Sequence, residues 1–279
     1  MRGKSGPGLG ARQASPRTLA IAGGVIVAVI VAVVLGIVLT QNGGSGSIGG
    51  SCDGTGDSPT ICVATGTPAT GSSTSDSAFV DAADVAKLFK GIPQDGFVLG
   101  NPDAPVTLVE WIDFQCPACQ QFETEMLPEL IEKYVRHGKM KIEMKAWNII
   151  DSNFPGMHDS LRGQKVANAA AAQNKAFEFS EVLYNNQGVE GTGWLNDAMI
   201  SNIGASVDGL NLSQLASDAN SAKTASAIRA IDSYAAAQPT IFSGTPTLLL
   251  AKGKAEPKLY GSGVPDLANL EAAIDALLK

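Results

Sequence analysis

The alternation of apolar and polar positions predicts a folded domain that starts near Ala78 with a helix over 78–92. The stretch 104–114 (APVTLVEWIDF) is rich in β-branched and aromatic residues, which predicts a buried strand. A second helix is expected over 120–135, with a bend at Pro128. The apolar positions at helical spacing are Phe79, Val80, Val85, Leu88 and Phe89 in the first helix, and Phe122, Met126, Leu130 and Tyr134 in the second.

The rest of the chain predicts a second strand, a block of helices and a strand–strand–helix ending. Charge and apolarity alternate over 139–150, which is typical of a strand. Two strands joined by a turn are expected within 244–261, and a final helix over 266–279 has Asp266 as its cap. The region 151–238 is rich in alanine and predicts helices at 159–173, 176–186, 194–204 and 211–237. This order is a βαβ unit and a ββα unit with a helical insertion between them, an α/β fold around one mixed sheet.

Residues 19–39 carry no charge and are rich in Val, Ile, Ala and Leu. As a helix they would be about 31 Å long, close to the thickness of the hydrocarbon core. The alternative is a secretory signal peptide, whose apolar part is usually shorter and ends at an A-x-A-like site, which LTQNGG lacks. Four basic residues precede the stretch and the next one is Lys87. We therefore expect a single-pass anchor in the cytoplasmic membrane, with 1–18 in the cytoplasm and the rest outside.

Residues 40–77 are dominated by Gly, Ser and Thr, which predicts a flexible linker between the anchor and a domain at 78–279. Cys52 and Cys62 lie in this linker. We expect them to form a local structural disulfide. A second redox pair that relays electrons to the main site is the alternative, but no nearby helix terminus is predicted that would lower a thiol pKa.

The net charge of −7 argues against a nucleic-acid-binding protein, which would normally present a basic face. The chain has only two histidines, so a histidine-rich metal site is not expected. Its four cysteines fall into two close pairs, a pattern that fits an oxidising compartment if the chain is exported.

The second cysteine pair, Cys116 and Cys119, lies where the predicted strand passes into the predicted helix. Pro117 suits the first helical position, so the first-turn N–H groups and the helix dipole face the sulfur of Cys116. This favours its thiolate, which attacks or is attacked, while Cys119 lies one turn further in and resolves the mixed disulfide. A zinc site would need four ligands, and a purely structural disulfide is the other alternative.

A second feature is Gly244-Thr245-Pro246-Thr247, directly before the apolar LLL strand. Proline inside a central strand is disfavoured, so Pro246 is expected at the start of the strand or in a turn. Its peptide bond is a candidate for the cis form, and an ordinary proline at the start of a strand is the alternative.

The segments GNPDAPVTLVEWIDFQCPACQQF and FSGTPTLLLAKGK resemble the DsbA-like family of thioredoxin-fold thiol-disulfide oxidoreductases. The resemblance covers about 96–279, including the helical insertion. It implies that Cys116 is the nucleophile and Cys119 the resolving cysteine. It also implies that Thr245 and Pro246 form a cis-proline loop that faces the disulfide, where the backbone of Thr245 pairs with an extended substrate.

Two further residues bear on this resemblance. Glu110 lies six residues before Cys116, where the family carries an acid beneath the inner cysteine. Such a carboxyl would have a raised pKa and transfer protons to and from Cys119, whereas an ordinary acid at the end of the sheet is the alternative. Ala118 departs from the strongest oxidases of the family, which have histidine between the cysteines. A less oxidising disulfide is therefore expected.

These features together predict a membrane-anchored, monomeric thiol:disulfide oxidoreductase outside the cytoplasmic membrane, without cofactor or metal. Its expected substrates are reduced exported proteins, and a quinone-linked membrane partner is expected to reoxidise it. An isomerase or reductase of the same fold is the alternative within the redox class. A peptide-binding, chaperone-like module with incidental cysteines is the alternative from another class.

Overall fold

The computed structural model describes residues 59–76 and 78–279. The predicted tail (1–18), the predicted anchor (19–39), the first part of the predicted linker and Cys52 lie outside these residues. Within the described ranges, no helix is both long enough and apolar enough to cross a membrane. The anchor therefore stays a prediction from the sequence.

Six strands form a mixed sheet in the order β1-β2-β4-β3-β5-β6. The central strand β3 pairs in parallel with β4 and antiparallel with β5. All seven residues of β3 are buried, as expected for a strand that is covered on both faces. The strands are β1 (Gln94–Asp95), β2 (Val98–Leu99), β3 (Val106–Ile112), β4 (Met140–Ala146), β5 (Thr247–Lys252) and β6 (Lys258–Ser262). This arrangement confirms the predicted α/β class and its mixed sheet.

The start of the domain differs from the prediction in two ways. The first helix, α1, begins only at Ala82 and ends at Phe89, and Val80 lies before it with its side chain fully exposed. Val80 is therefore not part of the apolar helix face. The short antiparallel strands β1 and β2 were not predicted, because two residues each are too few to show an alternating pattern.

The helix that follows β3, here α2, is a continuous run of α-helical and π-helical turns. Its hydrogen bonding widens to the π pattern just before Pro128, whose ring nitrogen cannot donate to the preceding turn. This change of helix type is the local response to the proline that was predicted to bend the helix. The segments are Pro117–Gln121 (α), Phe122–Met126 (π), Leu127–Leu130 (α) and Ile131–Val135 (π).

The insertion between β4 and β5 contains a short 3-10 turn (Asp151–Asn153) and then five α-helices, and one more helix, α8, follows β6. The predicted helix over 211–237 is in fact two helices, because the hydroxyl of Ser221 accepts a hydrogen bond from the N–H of Thr224 and starts a new helix. Asp266 caps the final helix as predicted. The helices are α3 (Asp159–Ala171), α4 (Ala176–Asn185), α5 (Asp197–Ala205), α6 (Leu212–Ala219), α7 (Ala222–Ala236) and α8 (Leu267–Leu278).

The two faces of the sheet contact different helices. Leu108 and Ile112 of β3 face the main core, which includes Cys119 of α2 and Ile274 of α8. The alternate side chains of β3, including that of Trp111, face a smaller aromatic cluster against α7. In this cluster the ring centroid of Trp111 lies 6.2 Å from that of Trp147 and 4.2 Å from that of Phe242. Because side chains alternate along a strand, Glu110 of β3 points into the main core on the same side as the cysteines.

The described part of the predicted linker, residues 59–76, packs against the helical insertion. The N–H and C=O of Ile61 bond to the side chain of Asn220, and the side chain of Ile61 is buried. Gly71 fits so closely against the carbonyls of Gly204 and Val207 that a Cβ atom would clash with both. The folded domain therefore includes 59–76 and does not start near Ala78, and the expectation of a flexible linker does not hold for these residues.

Candidate active site

The turn between β3 and α2 places the two cysteines at the start of a helix. Cys116 has extended backbone angles and is the N-cap residue, and Pro117 is the first helical residue. The carbonyl of Cys116 accepts a hydrogen bond from the N–H of Gln120, which closes the first turn. Cys119 lies on that turn, and both cysteines are free thiols in the structure. The sulfur of Cys116 thus lies where the helix presents its unpaired N–H groups.

Cys116 is 7% exposed, and its thiol lies against the turn at Thr245 and Pro246. The Sγ of Cys116 lies 3.3 Å from the carbonyl oxygen of Thr245, to which the protonated thiol can donate, and the peptide bond between Thr245 and Pro246 is cis. The pKa of Cys116 is lowered from 9.0 to about 6. The largest cause is the hydrogen bond from the thiol of Cys119, followed by the side-chain hydroxyl of Thr245 and the backbone N–H groups of Cys119 and Ala118. These donors outweigh the opposing effect of partial burial on the thiolate.

The surroundings of Cys119 favour the neutral thiol, in contrast to those of Cys116. Its side chain is completely buried among apolar residues of the main core. Burial raises the pKa of Cys119 well above its ordinary value, and the hydrogen bond to Cys116 and the charge of Cys116 add to this effect. In the reduced protein, Cys119 is therefore a neutral thiol that donates to the Cys116 thiolate.

The turn that faces Cys116 is held in place by residues of β5 and the end of β6. The hydroxyl of Thr247 donates to the carbonyl of Gly244 at 2.6 Å and lies 2.8 Å from the hydroxyl of Ser262. The N–H of Gly263 donates to the carbonyl of Pro246 at 2.7 Å. These bonds fix both sides of the Thr245–Pro246 turn, so the carbonyl of Thr245 stays directed at the sulfur.

Asp113, which was not among the predicted site residues, holds the loop on the other side of the cysteines. Its buried carboxylate accepts hydrogen bonds from the N–H groups of Gln115, Ile149 and Ile150 and from the hydroxyl of Ser160. Burial raises the pKa of Asp113, and these four bonds oppose that rise. An acid at the end of an apolar strand was the available signal for Asp113, since burial of an acid needs such partners.

The helical insertion also holds the cysteine turn through side-chain amides. Gln187 donates to the carbonyls of Phe114 and Cys116 at 2.9 Å and 3.3 Å. Gln120 of α2 donates to the carbonyl of Tyr184 at 2.8 Å. These contacts link residues far apart in sequence, so no local pattern could have identified them. The insertion thus contributes directly to the backbone geometry around Cys116.

Glu110 lies in the main core with no exposed surface. Neither of its carboxylate oxygens has a hydrogen-bond partner among the described residues. Burial, and then the charge of Glu181, raises the pKa of Glu110 to about 8. Glu110 is therefore protonated over most of the neutral range, which is the state that the predicted proton transfer requires. Its role toward Cys119 stays a prediction.

The other predicted site features concern the pair Cys52 and Cys62 and the binding of metals. Cys62 is disulfide-bonded, and its predicted partner Cys52 lies outside the described residues, so the predicted pairing stays a prediction. Within residues 59–76 and 78–279, no group of three or more His, Cys, Asp or Glu side chains is arranged to hold a metal ion.

Comparison with known proteins identifies the family of this chain. A family model described as Thioredoxin matches residues 93–275, which is more than half of the chain. The chain belongs to the thioredoxin family. It is a DsbA-like, thioredoxin-fold thiol-disulfide oxidoreductase, in agreement with the resemblance noted in the sequence.

Individual relatives are similar to this chain at moderate identity. The "Probable disulfide bond formation protein D" of Bacillus anthracis is 28% identical over 185 residues, which are 65% of this chain and 77% of the relative. The structure of oxidised BdbD from Bacillus subtilis has a TM-score of 0.53 at 20% identity and covers 67% of this chain and 97% of its own. That of α-DsbA1 from Wolbachia pipientis has a TM-score of 0.53 at 22% identity and covers 70% and 96%. The two structural likenesses concern the fold.

Proposed function

We propose that this protein is an oxidase that introduces disulfides into exported proteins. The observation that carries the proposal is the position of Cys116, whose sulfur lies at the start of a helix, 3.3 Å from the carbonyl of Thr245. A thiol with a pKa near 6 is a good leaving group in thiol–disulfide exchange. The disulfide that this thiol forms is therefore readily reduced by substrate thiols.

The reaction begins with the enzyme in its disulfide form. A substrate thiolate attacks the sulfur of Cys116, the Cys116–Cys119 bond breaks, and the electron pair stays on Cys119. A second thiolate of the substrate then attacks the substrate sulfur of the mixed disulfide and releases Cys116 as a thiolate. The substrate has lost two electrons and gained a disulfide, and the enzyme is left with two thiols.

Substrate recognition is assigned to the turn at Thr245 and Pro246, next to the sulfur. An extended segment of substrate pairs there with the backbone of Thr245, which gives affinity with little dependence on side chains. Glu110 exchanges a proton with Cys119 as the disulfide opens and closes. Pro117 and Ala118 shape the helix start, and Ala118 supplies one backbone N–H to the Cys116 sulfur.

The location and partners are proposed from the sequence and the relatives. Residues 19–39 would anchor a monomer in the cytoplasmic membrane, with the catalytic domain outside, where exported proteins are oxidised. The name "disulfide bond formation protein" of the Bacillus anthracis relative supports this direction of electron flow. A quinone-linked membrane protein would return the two thiols to the disulfide.

The reduction potential and a direct oxidation assay test this function. We expect the full-length chain to have a potential well above the value of about −270 mV found for a reductant such as thioredoxin. We also expect it to oxidise reduced ribonuclease A stoichiometrically. A potential near −270 mV would favour the reductase alternative. If a Cys116→Ser variant still promoted folding, the peptide-binding alternative would hold.

A further inference from the structure

Three glutamates from three different elements meet in the main core. Glu110 lies on β3, Glu123 on α2 and Glu181 on α4, and their exposed fractions are 0%, 1% and 3%. They are close enough that the charge of Glu181 raises the pKa of Glu110, and the charges of Glu110 and Glu181 both raise that of Glu123. We refer to these three residues as the glutamate cluster.

Hydrogen bonding does not account for the burial of the glutamate cluster. Both carboxylate oxygens of Glu110, one of Glu123 and one of Glu181 have no partner among the described residues. None of the ion pairs in the described part of the chain includes any of the three. Burial of an unpaired carboxylate is strongly unfavourable. A role in proton transfer explains why these carboxyls are kept there.

The inner end of the cluster reaches toward Cys119. Glu123 lies four residues after Cys119 on α2, so the two side chains share one face of the helix, and both are buried. Tyr184 of α4 lies beside both groups, since the charges of Cys119 and of Glu123 each raise its pKa. The helix α4, which carries both Tyr184 and Glu181, packs against the Phe122–Met126 segment of α2, which carries Glu123.

The outer end of the cluster reaches a cavity at the surface. Glu181 lines a cavity of about 700 Å³ together with Asn185, which donates to its carboxylate at 3.3 Å. The cavity is open to water, because exposed residues such as Asp84 and Lys90 form part of its wall. The charged groups that line this cavity with Glu181 are Asp81, Asp84, Lys87 and Lys90 at α1, Glu132 of α2 and Arg136 directly after α2, and Glu110 and Glu123 of the cluster lie on the core side.

We propose that the glutamate cluster is a proton path between Cys119 and this cavity, with Glu181 as its outer group. The proposal rests on the thiol–disulfide exchange described above. When the Cys116–Cys119 bond breaks, the Cys119 thiolate takes a proton from the cluster, and Glu181 replaces it from water in the cavity. When Cys119 attacks a mixed disulfide, its proton leaves by the same route. A polypeptide bound at Cys116 covers the front of the site, so a separate route behind it keeps proton transfer open.

The test separates the two steps of exchange in the full-length reduced chain, with glutathione disulfide as the probe. In the first step, the Cys116 thiolate attacks the probe, which forms the Cys116–glutathione disulfide and releases one glutathione thiolate. In the second step, Cys119 loses its proton and attacks Cys116, which forms the Cys116–Cys119 disulfide and releases the second glutathione. Rapid acid quench and mass spectrometry follow both steps from mildly acidic to mildly alkaline pH.

We expect Glu181→Gln to leave the first step unchanged and to slow the second by about tenfold, which is below the ~10²–10⁴ of a group that transfers the proton directly. The second step should also lose part of its dependence on pH. Glu181→Asp should restore most of the rate, and Glu129→Gln, which changes an exposed acid of α2, should match the wild type. A Glu181→Gln variant with a normal second step would overturn the proton path. Failure of the first step in the wild type would instead overturn the proposed function.

A second measurement covers the case in which Glu181→Gln does not fold. Redox-difference infrared spectra of the wild-type chain report protonated carboxyls directly. We expect time-resolved spectra after reduction of the disulfide to show a protonated-carboxyl band that falls as the cluster gives up a proton to Cys119 and recovers as the cluster regains one from water. A spectrum with no change in that band would contradict the proposal.

Discussion

Cys116 and Cys119 lie on one helical turn, but the protein surrounds the first with hydrogen-bond donors and the second with apolar side chains. The sulfur of Cys116 lies at the helix start beside the turn at Thr245 and Pro246, and the pKa of Cys116 is lowered to about 6. Cys119 is completely buried, and its pKa is raised well above the ordinary value. Position relative to the helix end, rather than residue type, therefore assigns the two chemical roles.

The carboxyls extend this contrast. Around the sulfur of Cys116, the thiol of Cys119, the hydroxyl of Thr245 and backbone N–H groups donate hydrogen bonds, which favour negative charge. The interior beyond Cys119 contains three glutamates without enough hydrogen-bond partners among the described residues, which disfavours negative charge. One side of the motif therefore stabilises a thiolate, and the other side stores protons.

Removal of each sulfur in turn should change the chemistry most. Cys116→Ser should lower oxidation of reduced ribonuclease A by about 10⁴-fold or more, because the reacting atom is gone. Cys119→Ser should still attack glutathione disulfide and then accumulate the Cys116–glutathione disulfide, since no resolving thiol remains. Mass spectrometry of the intact chain measures both products. Equal loss of the first exchange in the two variants would contradict the division of roles.

An intermediate effect is expected on stability when the buried acid Glu110 is neutralised. Its pKa is raised from 4.5 to about 8 in the folded chain, so this residue's contribution to stability falls as pH rises between those values. Glu110→Gln stays neutral, so it should increase the free energy of unfolding at a pH of about 8 by about 1–4 kcal/mol and change it little at a pH of about 4. Urea denaturation of the reduced chain at both pH values provides the measurement.

The control for that experiment is Glu129→Gln, which removes an exposed acid and should change stability little at either pH. If Glu110→Gln were destabilising by the same amount at both pH values, Glu110 would be needed for packing rather than for its proton.

A smaller change is expected when the hydroxyl of Thr245 is removed. Thr245 is one of the groups that lower the pKa of Cys116, after the thiol of Cys119. Thr245→Val removes the hydroxyl at nearly constant volume and should raise the pKa of Cys116 by less than about one unit. The ultraviolet absorbance of the thiolate against pH measures this change. The exposed Thr192→Val serves as control, and a larger shift in the control than in Thr245→Val would refute this assignment.

Local patterns were sufficient to predict the strand and helix around the cysteines. Short stretches of sequence determine both the buried strand β3 and the start of α2 at its Cys-Pro pair. The positions of these two elements were therefore predicted within a few residues. The break between α6 and α7 was missed because both flanks have helical patterns and only the cap at Ser221 separates them.

Features that depend on distant residues could not be predicted. The composition of 59–76 predicts flexibility, yet its backbone is held by the side chains of Asn220, Ser201 and Asp208, which lie 159, 137 and 135 positions further along the chain than their partners. The glutamate cluster likewise forms only when β3, α2 and α4 come together. Of its members, Glu110 was identified, and it was identified by the resemblance to a family rather than by pattern.

The ionisation of each cysteine in the reduced, folded chain can be measured separately. Iodoacetamide labelling across pH, resolved by peptide mass spectrometry, gives the reactivity of Cys116 and of Cys119. We predict that labelling of Cys116 is half-maximal at a pH of about 6 and that Cys119 stays unlabelled throughout. Half-maximal labelling of Cys116 near the ordinary thiol value of 9.0, or equal labelling of both cysteines, would contradict the assigned roles.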